Sequence, residues 1–566
     1  MVRHDRRVTA YLGGPPWPEL DAALARRDLP GALKLAEQSG EVDLAERQLV
    51  IGICRAVFHQ ADLAAQALLQ SFHAFCKDRS MRAAVSAVFL GRMHYFMHDS
   101  PRVANGWFAR ARTLAAGQPD GVEHVLVALP LPGCEIDDVT ALRADAERSL
   151  ELARRLGERN LEAKALADLG TALVSLAAAG EGMTRLDEAM AMVLSGEAGS
   201  PFVIGDVVCN LLTACGRAGD LARANEWTRA AEDQLGFGIE HGPAYIYAHC
   251  RSAMGQILCD AGRWQHAEVT LTLAGTLGAR SGPRIDGRAR AALAELRVLQ
   301  GRLADAERLV NDRCEHVDTT LPLVSLHLAR GEHRDAAGLA RQALRNMGDD
   351  HVRAARLLVM LTQAQLGLAD AKAAQASVLR LDRIAAGHTL PVLAARAALA
   401  RGMVAQHRGQ QDAAREAFEH GLAVLADAHW PLLFAELRLR LGQVLAGADP
   451  PAAIAEARAA HLIWERLGSP ESARSAALLN QLGLQATSAP HAADATATLS
   501  PREQAVLQRL RAGSSNAEIA AELHNSVRTI EHHVSAILTK LGLRSRAEAA
   551  VYAASIETTQ PLTAEA

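Results

Sequence analysis

A short pattern recurs through most of this chain: a stretch rich in alanine, leucine and arginine, a turn that contains glycine, and a second such stretch. Examples are "GRAGDLARANEW" from residue 216, "LQGRLADAERLV" from residue 299 and "HRGQQDAAREAF" from residue 407. Glycine permits the left-handed backbone conformation that ends a helix, and small side chains let two helices approach closely. A single hairpin of this kind cannot bury its apolar face, so consecutive hairpins must stack. The pattern therefore predicts an all-α chain of stacked helix pairs.

The spacing of the turns predicts the type of repeat. Successive turn glycines are 30 to 43 residues apart, a ragged period close to or slightly above the tetratricopeptide length of about 34. They are Gly182, Gly219, Gly262, Gly301, Gly331, Gly367 and Gly409. Earlier turns within "RRDLPGALKLAE" and "HQADLAAQALLQ" extend the pattern toward the amino terminus. We predict a tetratricopeptide-like α-solenoid over residues 18–484, and we expect 123–138, with Pro130 and Pro132, to be a loop between repeats.

A different composition begins after residue 484. Residues 485–498, "QATSAPHAADATAT", contain small polar residues and a proline but no hydrophobic period, which is typical of a flexible linker. The block 499–556 then contains several helix-start signals. Ser500 is followed three residues later by Glu503, and the same S-x-x-E spacing begins at Ser515 and at Ser545; Ser526 offers a simple serine cap. These signals predict four short helices.

The apolar positions orient the third of these helices. Ile530, Val534, Ile537 and Leu541 lie on one helical face. We expect this face to pack on apolar residues of the two preceding helices, namely Val506, Leu507, Leu510, Ile519 and Leu523. The opposite face carries only polar side chains, namely Arg528, Glu531, His532, Ser535 and Thr539. A capped helix that follows a tight turn and exposes polar groups is typical of a recognition helix in the DNA major groove.

This block resembles the LuxR-type helix-turn-helix domain. The resemblance lies in "LSPRE", "GSSNAEIA", "SVRTIEHH" and "KLGLRSR", with Ser500 in place of threonine and Ile530 in place of valine. It implies that Glu531, His532 and Ser535 reach base edges, and that Thr529, Lys540 and the amino ends of the second and third helices meet the DNA backbone. The predicted DNA-contacting residues are Asn516, Ser526, Arg528, Thr529, Glu531, His532, Ser535, Lys540 and Arg544. His533 is instead predicted to be a structural hydrogen-bonding residue.

The resemblance also implies a homodimer on DNA, formed through the fourth helix (546–555), whose small residues are Ala547, Ala549, Ala550 and Ala553. The block departs from a strongly basic domain, because residues 499–551 contain seven basic and five acidic side chains. The non-specific electrostatic part of DNA binding should therefore be modest. Shape and hydrogen bonding would then carry much of the recognition.

The whole chain resembles actinobacterial regulators in which a long tetratricopeptide-like region precedes a LuxR-type domain. Their larger relatives carry a nucleoside triphosphatase module, whose phosphate loop needs a glycine directly before a lysine. None of the five lysines follows a glycine, and no H-E-x-x-H or G-x-S-x-G motif is present. We therefore expect no enzyme and no cofactor. The leading hypothesis is a bacterial transcription regulator that binds promoter DNA and senses a protein or small-molecule signal on its helical repeats; the alternative is an interaction scaffold whose terminal domain does not bind DNA.

Composition narrows the setting of the protein. The formal charge is −4, with 60 basic and 64 acidic residues, which argues against indiscriminate coating of nucleic acid or membrane. The eight cysteines form no C-x-x-C pair, so we expect reduced core thiols and no metal site. No apolar run approaches the roughly 18 residues that span a bilayer. We expect a soluble, cytoplasmic protein that does not contact membranes.

Trp107, Trp227 and Trp264 could line a ligand site, but packing between hairpins is the favoured interpretation.

Overall fold

The computed structural model describes residues 17–26, 28–40, 42–78, 80–176, 178–235, 244–310, 317–425, 430–484, 499–511, 514, 516–523, 525–526, 529–530, 533–534, 537 and 549. These residues form helices and turns, and no strand occurs among them. The chain divides into two compact units, Met1–Arg408 and Gly409–Ala566. Within the described part, no helix combines the length and the apolar character that crossing a membrane requires.

Twenty-one α-helices and one 3-10 helix, Gly133–Glu135, are described in the first unit. The α-helices are α1 (Pro18–Ala25), α2 (Leu29–Gln38), α3 (Leu44–Val57), α4 (Ala61–Lys77), α5 (Arg82–Phe96), α6 (Pro101–Ala115), α7 (Val122–Ala128), α8 (Val139–Leu156), α9 (Arg159–Leu176), α10 (Ala179–Leu194), α11 (Pro201–Ala218), α12 (Leu221–Leu235), α13 (Ala244–Asp260), α14 (Trp264–Ser281), α15 (Pro283–Leu299), α16 (Leu303–Val310), α17 (Val317–Ala329), α18 (His333–Asn346), α19 (His351–Gly367), α20 (Ala371–Ala386) and α21 (Pro391–His407).

Six α-helices are described in the second unit. They are α22 (Gln411–Val424), α23 (Pro431–Leu445), α24 (Pro450–Leu467), α25 (Ser472–Gln481), α26 (Pro501–Arg511) and α27 (Asn516–Glu522). The predicted linker, 485–498, lies outside the described residues. The predicted boundaries of the domains stay predictions.

Helices that are neighbours in sequence pack as pairs, for example α3 with α4, α5 with α6, α9 with α10 and α13 with α14. Burial differs between helices. In α9 every residue from Asn160 to Ser175 is buried, whereas α18 buries only a stripe at Ala336, Ala337, Ala340, Ala343 and Leu344. A stripe with this spacing is one face of a helix whose other face meets solvent. The predicted all-α class of paired helices is confirmed.

Most of the predicted turn glycines end helices in the predicted way. Gly219, Gly262, Gly301, Gly331 and Gly409 have φ between 72° and 74°, the left-handed region that disfavours residues with a Cβ. The prediction is wrong for Gly182, which lies inside α10 and touches Gly170 of α9: a Cβ on Gly182 would lie 2.6 Å from the Gly170 carbonyl oxygen. It is also wrong for Gly367, the last residue of α19, since Ala369 takes the positive φ there.

The segment 123–138 differs in part from the predicted loop. Its first residues belong to α7, whose Val125, Leu126 and Val127 are buried. Burial of these side chains outweighs the weak helix propensity of the valines. Helix α7 ends before Pro130, as expected. The remainder, residues 129–138, is named the strap here. Its residues Leu129 and Leu131 to Glu135 are buried, which is unusual for a connection between helices.

The cysteines and tryptophans of the described residues serve packing. Seven cysteines are unbridged, and all of them except Cys76 are buried. Burial raises the pKa of the Cys54 thiol to about 12, which leaves it protonated and unreactive. Trp264 is buried, Trp107 packs edge-to-face on Phe72, and the Trp227 indole donates to Asp187. These contacts support the packing interpretation of the three tryptophans.

Candidate nucleic-acid interface

Helix α26 begins with the predicted capping box. The backbone amide of Glu503 donates to Ser500 Oγ at 3.3 Å, and the backbone amide of Ser500 donates to Glu503 Oε2 at 2.6 Å. Each side chain thus satisfies an amide that has no partner within the helix. The prediction for Ser500 and Glu503 is confirmed, and Pro501 occupies the first helical position. The boxes predicted at Ser515 and Ser545 lie outside the described residues.

An apolar core joins α26, α27 and the residues that follow them. Its buried members are Leu499, Val506, Leu507, Leu510, Ile519, Ala520, Ile530, Val534, Ile537 and Ala549, with Leu523 packed against them. Ile530 and Ile537 have no exposed surface. The predicted packing of the third helix on the first two is therefore confirmed for Ile530, Val534 and Ile537; Leu541 lies outside the described residues.

The turn before the third helix is held by hydrogen bonds. The amide of Asn525 donates to the carbonyl of Ala520 at 2.9 Å, which closes the end of α27. The amide of Thr529 donates to Ser526 Oγ at 3.1 Å, the serine cap that the sequence predicts. The two hydroxyl oxygens, of Ser526 and Thr529, are also 2.7 Å apart. Residues 529, 530, 533, 534 and 537 are helical, so Ser526 marks the start of a third helix.

Three predicted DNA-contacting residues lie among the described ones. Asn516 is the first residue of α27 and is half-buried, Ser526 is exposed, and Thr529 is half-buried beside it. Ser526 and Thr529 share the amino end of the third helix, where the helix dipole favours an anion. The other predicted contacts, Arg528, Glu531, His532, Ser535, Lys540 and Arg544, lie outside the described residues. Their roles stay predictions, as does the structural role of His533.

An ion pair joins the first two helices of this domain. Arg509 of α26 forms an ion pair with Glu522 of α27 at 2.9 Å, and both side chains are about half exposed.

Of the four alanines assigned to a dimer contact, Ala549 is fully buried in the core of its own domain. Ala547, Ala550 and Ala553 lie outside the described residues. Burial of Ala549 inside the domain removes it from the surface that a partner subunit could touch.

Two short helices, a tight turn and a capped third helix that packs its apolar side on them are the arrangement of a helix-turn-helix domain. Residues 497–553 match the family model "Bacterial regulatory proteins, luxR family". The carboxy-terminal part of the chain is therefore a LuxR-family helix-turn-helix domain, a DNA-binding module of transcription regulators.

Curated relatives match the same part of the chain. The response regulator Rre1 of Synechocystis is 46% identical over 66 residues, 12% of this chain and 27% of that protein. The transcriptional regulatory protein ComA of Bacillus subtilis is 46% identical over 57 residues, 10% of this chain and 27% of that protein. The oxygen regulatory protein NreC of Staphylococcus aureus is 47% identical over 55 residues, 10% of this chain and 25% of that protein. This chain spans about a quarter of the length of these relatives.

Among solved structures, the helices are similar to a chain in the crystal structure of the APC/C hetero-tetramer Cut9-Hcn1. The alignment covers 84% of this chain and 98% of that chain, with 14% sequence identity and a TM-score of 0.34.

The first unit contains a buried polar cluster that the sequence analysis missed. Lys164 of α9 has almost no exposed surface, and its Nζ lies 3.0 Å from Asp168 Oδ2 and 3.1 Å from Asp206 Oδ2 of α11. Arg92 of α5 pairs with Asp206 at 3.0 Å. The sequence does contain a signal for this cluster. Lys164 and Asp168 are four residues apart in an otherwise apolar stretch, where charged residues are rare unless they are paired.

Burial and pairing act in opposite directions on these groups. Burial would lower the pKa of Lys164, but the carboxylates of Asp168 and Asp206 outweigh it, so that pKa lies above its ordinary value. Burial would likewise raise the pKa of Asp206, but Arg92 and Lys164 hold it below its usual range. Burial raises the pKa of Asp168 despite the attraction of Lys164. The two cations and two carboxylates balance in charge.

A second buried cluster surrounds Glu135 of the strap. Candidate metal-ligating atoms of Cys134, Glu135 and His249 lie within 4.8 Å of one another. However, Arg288 Nη1 lies 2.5 Å from Glu135 Oε1 and 2.8 Å from His249 Nδ1. This positively charged guanidinium repels a metal cation. It also contacts Glu135 and His249 atoms that would have to bind the metal. We therefore assign the cluster to carboxylate binding by arginine rather than to a metal centre.

Proposed function

We propose that this chain is a bacterial transcription regulator that binds promoter DNA through its LuxR-family helix-turn-helix domain. The observation that carries the proposal is the packing of Ile530, Val534 and Ile537 into the domain core. This packing orients one face of the third helix inward. The sequence places Arg528, Glu531, His532 and Ser535 away from that face.

Each proposed contact has a chemical role. Glu531 accepts a hydrogen bond from a cytosine N4 amine, and His532 donates to an acceptor on guanine. Ser526 and Thr529, at the amino end of the third helix, meet a phosphate together with the first amides of that helix. Lys540 and Arg544 add cationic contacts to the DNA backbone. Two copies of the chain on two half-sites complete the proposed complex, because a helix-turn-helix dimer reads sites about one helical turn apart.

The helical repeats have a separate proposed role. We propose that they receive a protein or small-molecule signal and change how the domain engages DNA. Stacked helix pairs present an extended surface that suits protein recognition. The absence of a glycine–lysine phosphate loop from the sequence supports a switch that does not depend on nucleotide hydrolysis by this chain. We propose no catalytic role for either unit.

DNA binding by the full chain tests the proposal. Sequences bound by the full-length protein are selected from random DNA, and affinity for the best site is measured at several salt concentrations. Lys540→Ala should weaken binding to all sequences alike and reduce the salt slope by about one unit, because one phosphate contact is lost. Lys372→Ala, which removes an exposed lysine of α20, is the charge-matched control and should leave the slope unchanged.

Two results would contradict this assignment. One is a full chain that selects no sequence and binds no DNA at low salt, which would favour the interaction scaffold instead. The other is a Lys540→Ala protein that loses its sequence preference while its affinity stays constant, since that would make Lys540 a base-reading residue.

A further inference from the structure

The strap is bound by side chains in the way that a separate peptide would be. Arg92 Nη1 donates to the carbonyl of Pro130 at 3.3 Å, and Lys164 Nζ donates to the carbonyl of Leu131 at 3.1 Å. Two strap amides are also captured: Gly133 donates to Asp168 Oδ1 at 2.7 Å, and Cys134 donates to Asn210 Oδ1 at 2.8 Å. Side chains of three separate helices, α5, α9 and α11, therefore bind four backbone groups of the strap.

The carboxylate of Glu135 in the strap is bound by several polar side chains. Glu135 is buried, and its carboxylate accepts from Arg288 of α15 at 2.5 Å and from the Tyr95 hydroxyl at 2.9 Å. Arg284 lies 3.6 Å from the same carboxylate and stacks on the Tyr95 ring, with its guanidinium carbon 3.8 Å from the ring centroid. Two arginines and a tyrosine form a specific binding site for a carboxylate.

The backbone of the strap fits closely at one point. A Cβ on Gly133 would lie 3.1 Å from both Cα and Oδ1 of Asp168, so the strap backbone packs tightly against α9 at this point. Beyond Glu135 the contacts reach the surface: exposed Asp137 forms an ion pair with Arg353 of α19 at 3.0 Å. The strap groove is the surface formed by Arg92, Lys164, Asp168, Asn210, Arg284 and Arg288.

We propose that the strap groove is the docking site for an extended acidic peptide of a partner protein, and that the strap occupies it until the partner displaces it. The charges support an acidic occupant. Arg92 and Lys164 are balanced by Asp168 and Asp206, whereas Arg284 and Arg288 are balanced by Asp99 and by Glu135 of the strap. Departure of Glu135 leaves one positive charge in excess, which an acidic side chain of the partner neutralises.

The way the strap is held makes it releasable. It has only one turn of 3-10 helix, and several of its bonds are to side chains rather than to a helical ladder. Although most of the strap is buried, we expect it to open separately from the helices beneath it, because side chains of other helices, rather than a helical ladder, bind several of its backbone groups. Because it belongs to the same chain, its effective concentration at the groove is about millimolar. A partner peptide must therefore bind the open groove tightly in order to compete.

Peptide binding to the full-length chain tests the proposal without DNA, so its outcome is independent of the proposed transcription function. The probe is a fluorescent synthetic peptide with the sequence of residues 127–138, with serine in place of Cys134. Glu135→Gln in the protein should loosen the strap and raise the affinity for this probe at least tenfold over the natural chain. Glu151→Gln, which changes an exposed glutamate of α8, is the matched control and should bind the probe as the natural chain does.

A second probe tests the acidic specificity. The peptide with glutamine at the position of Glu135 should bind the Glu135→Gln protein at least tenfold more weakly than the acidic probe. Equal binding of the two probes, or no gain in affinity over the Glu151→Gln control, overturns the proposal.

Amide exchange in the unmodified full-length chain covers the case in which Glu135→Gln fails to fold. The amides of Gly133 and Cys134 should exchange at least tenfold faster than the slowest amides of α9, because the strap opens while α9 stays folded. Exchange of both sets at one common rate would make the strap an inseparable part of the core, and the proposal would then be wrong.

Discussion

The helix-turn-helix domain and the first unit are both α-helical, but their candidate sites are encoded differently. In the domain, a short stretch of sequence sets the cap at Ser526, the buried seam from Ile530 and the intervening polar residues. In the first unit, the strap groove draws on four helices, α5, α9, α11 and α15, spread from Arg92 to Arg288. A candidate site formed by consecutive residues can therefore be predicted from the sequence. A candidate site assembled from distant helices cannot.

This contrast predicts different sensitivity to single substitutions. Ile530→Asp should have the largest effect, because it buries a charge with no partner in the core of a small domain. We expect the domain to lose about 4 to 5 kcal/mol and to unfold, with loss of DNA binding. Amide exchange of α26 and α27 in the full chain measures this loss. Leu379→Asp, at an exposed position in α20, should leave the exchange rates and the affinity unchanged.

The first unit should respond to loss of its buried charge balance. Lys164→Met leaves Asp168 without its cation and Asp206 with Arg92 alone, and should lower stability by about 3 kcal/mol. Thermal unfolding followed by circular dichroism measures the change. The double variant Lys164→Met, Asp168→Asn should recover part of the loss. A double variant no more stable than the single one would show that the charge imbalance is not the cause.

The recognition helix should show a smaller and more selective effect. His532→Ala should reduce discrimination at one base pair by about 1 to 3 kcal/mol, with little change in stability. Selection of bound DNA sequences with the full chain provides the measurement. Uniform weakening across all sequences would place His532 on the DNA backbone rather than at a base edge.

The smallest predicted effect depends on pH and belongs to the first unit. Burial, together with neighbouring His351, lowers the pKa of His388 to about 4; the two rings approach to 2.9 Å. The unfolded chain therefore binds a proton that the folded chain rejects between about pH 6.5 and pH 4. Stability from this group is present above that range and lost as pH falls through it.

Because His388 is about half-buried, solvent screening limits the effect to about 1 kcal/mol. His388→Gln should reduce the fall in melting temperature between pH 7 and pH 4.5, by the amount equivalent to this free energy. His407→Gln, at an exposed position of α21, should keep the natural pH dependence. Identical pH profiles for the two variants would show that burial of His388 does not couple to folding.

The sequence by itself determined much of the local structure. Glycine turns placed helix ends at five positions from Gly219 to Gly409, since only a residue without a Cβ enters the left-handed region freely. The S-x-x-E spacing predicted the capping box of Ser500 and Glu503, and the helical period predicted the buried positions from Ile530. These features depend on neighbours within a few residues, and periodicity reports such neighbours directly.

Only the tertiary structure decided the remainder. Gly182 is a helix-contact residue because it meets Gly170 of a neighbouring helix, which no turn pattern reveals. The segment ending at Asp138 was predicted to be a loop between repeats, yet Pro132 and Glu135 are buried. Glu135 is paired with Arg288, which lies 153 positions away along the chain. Contacts of this kind arise when separate helices pack, because burial then forces each polar group to find a partner wherever the fold supplies one.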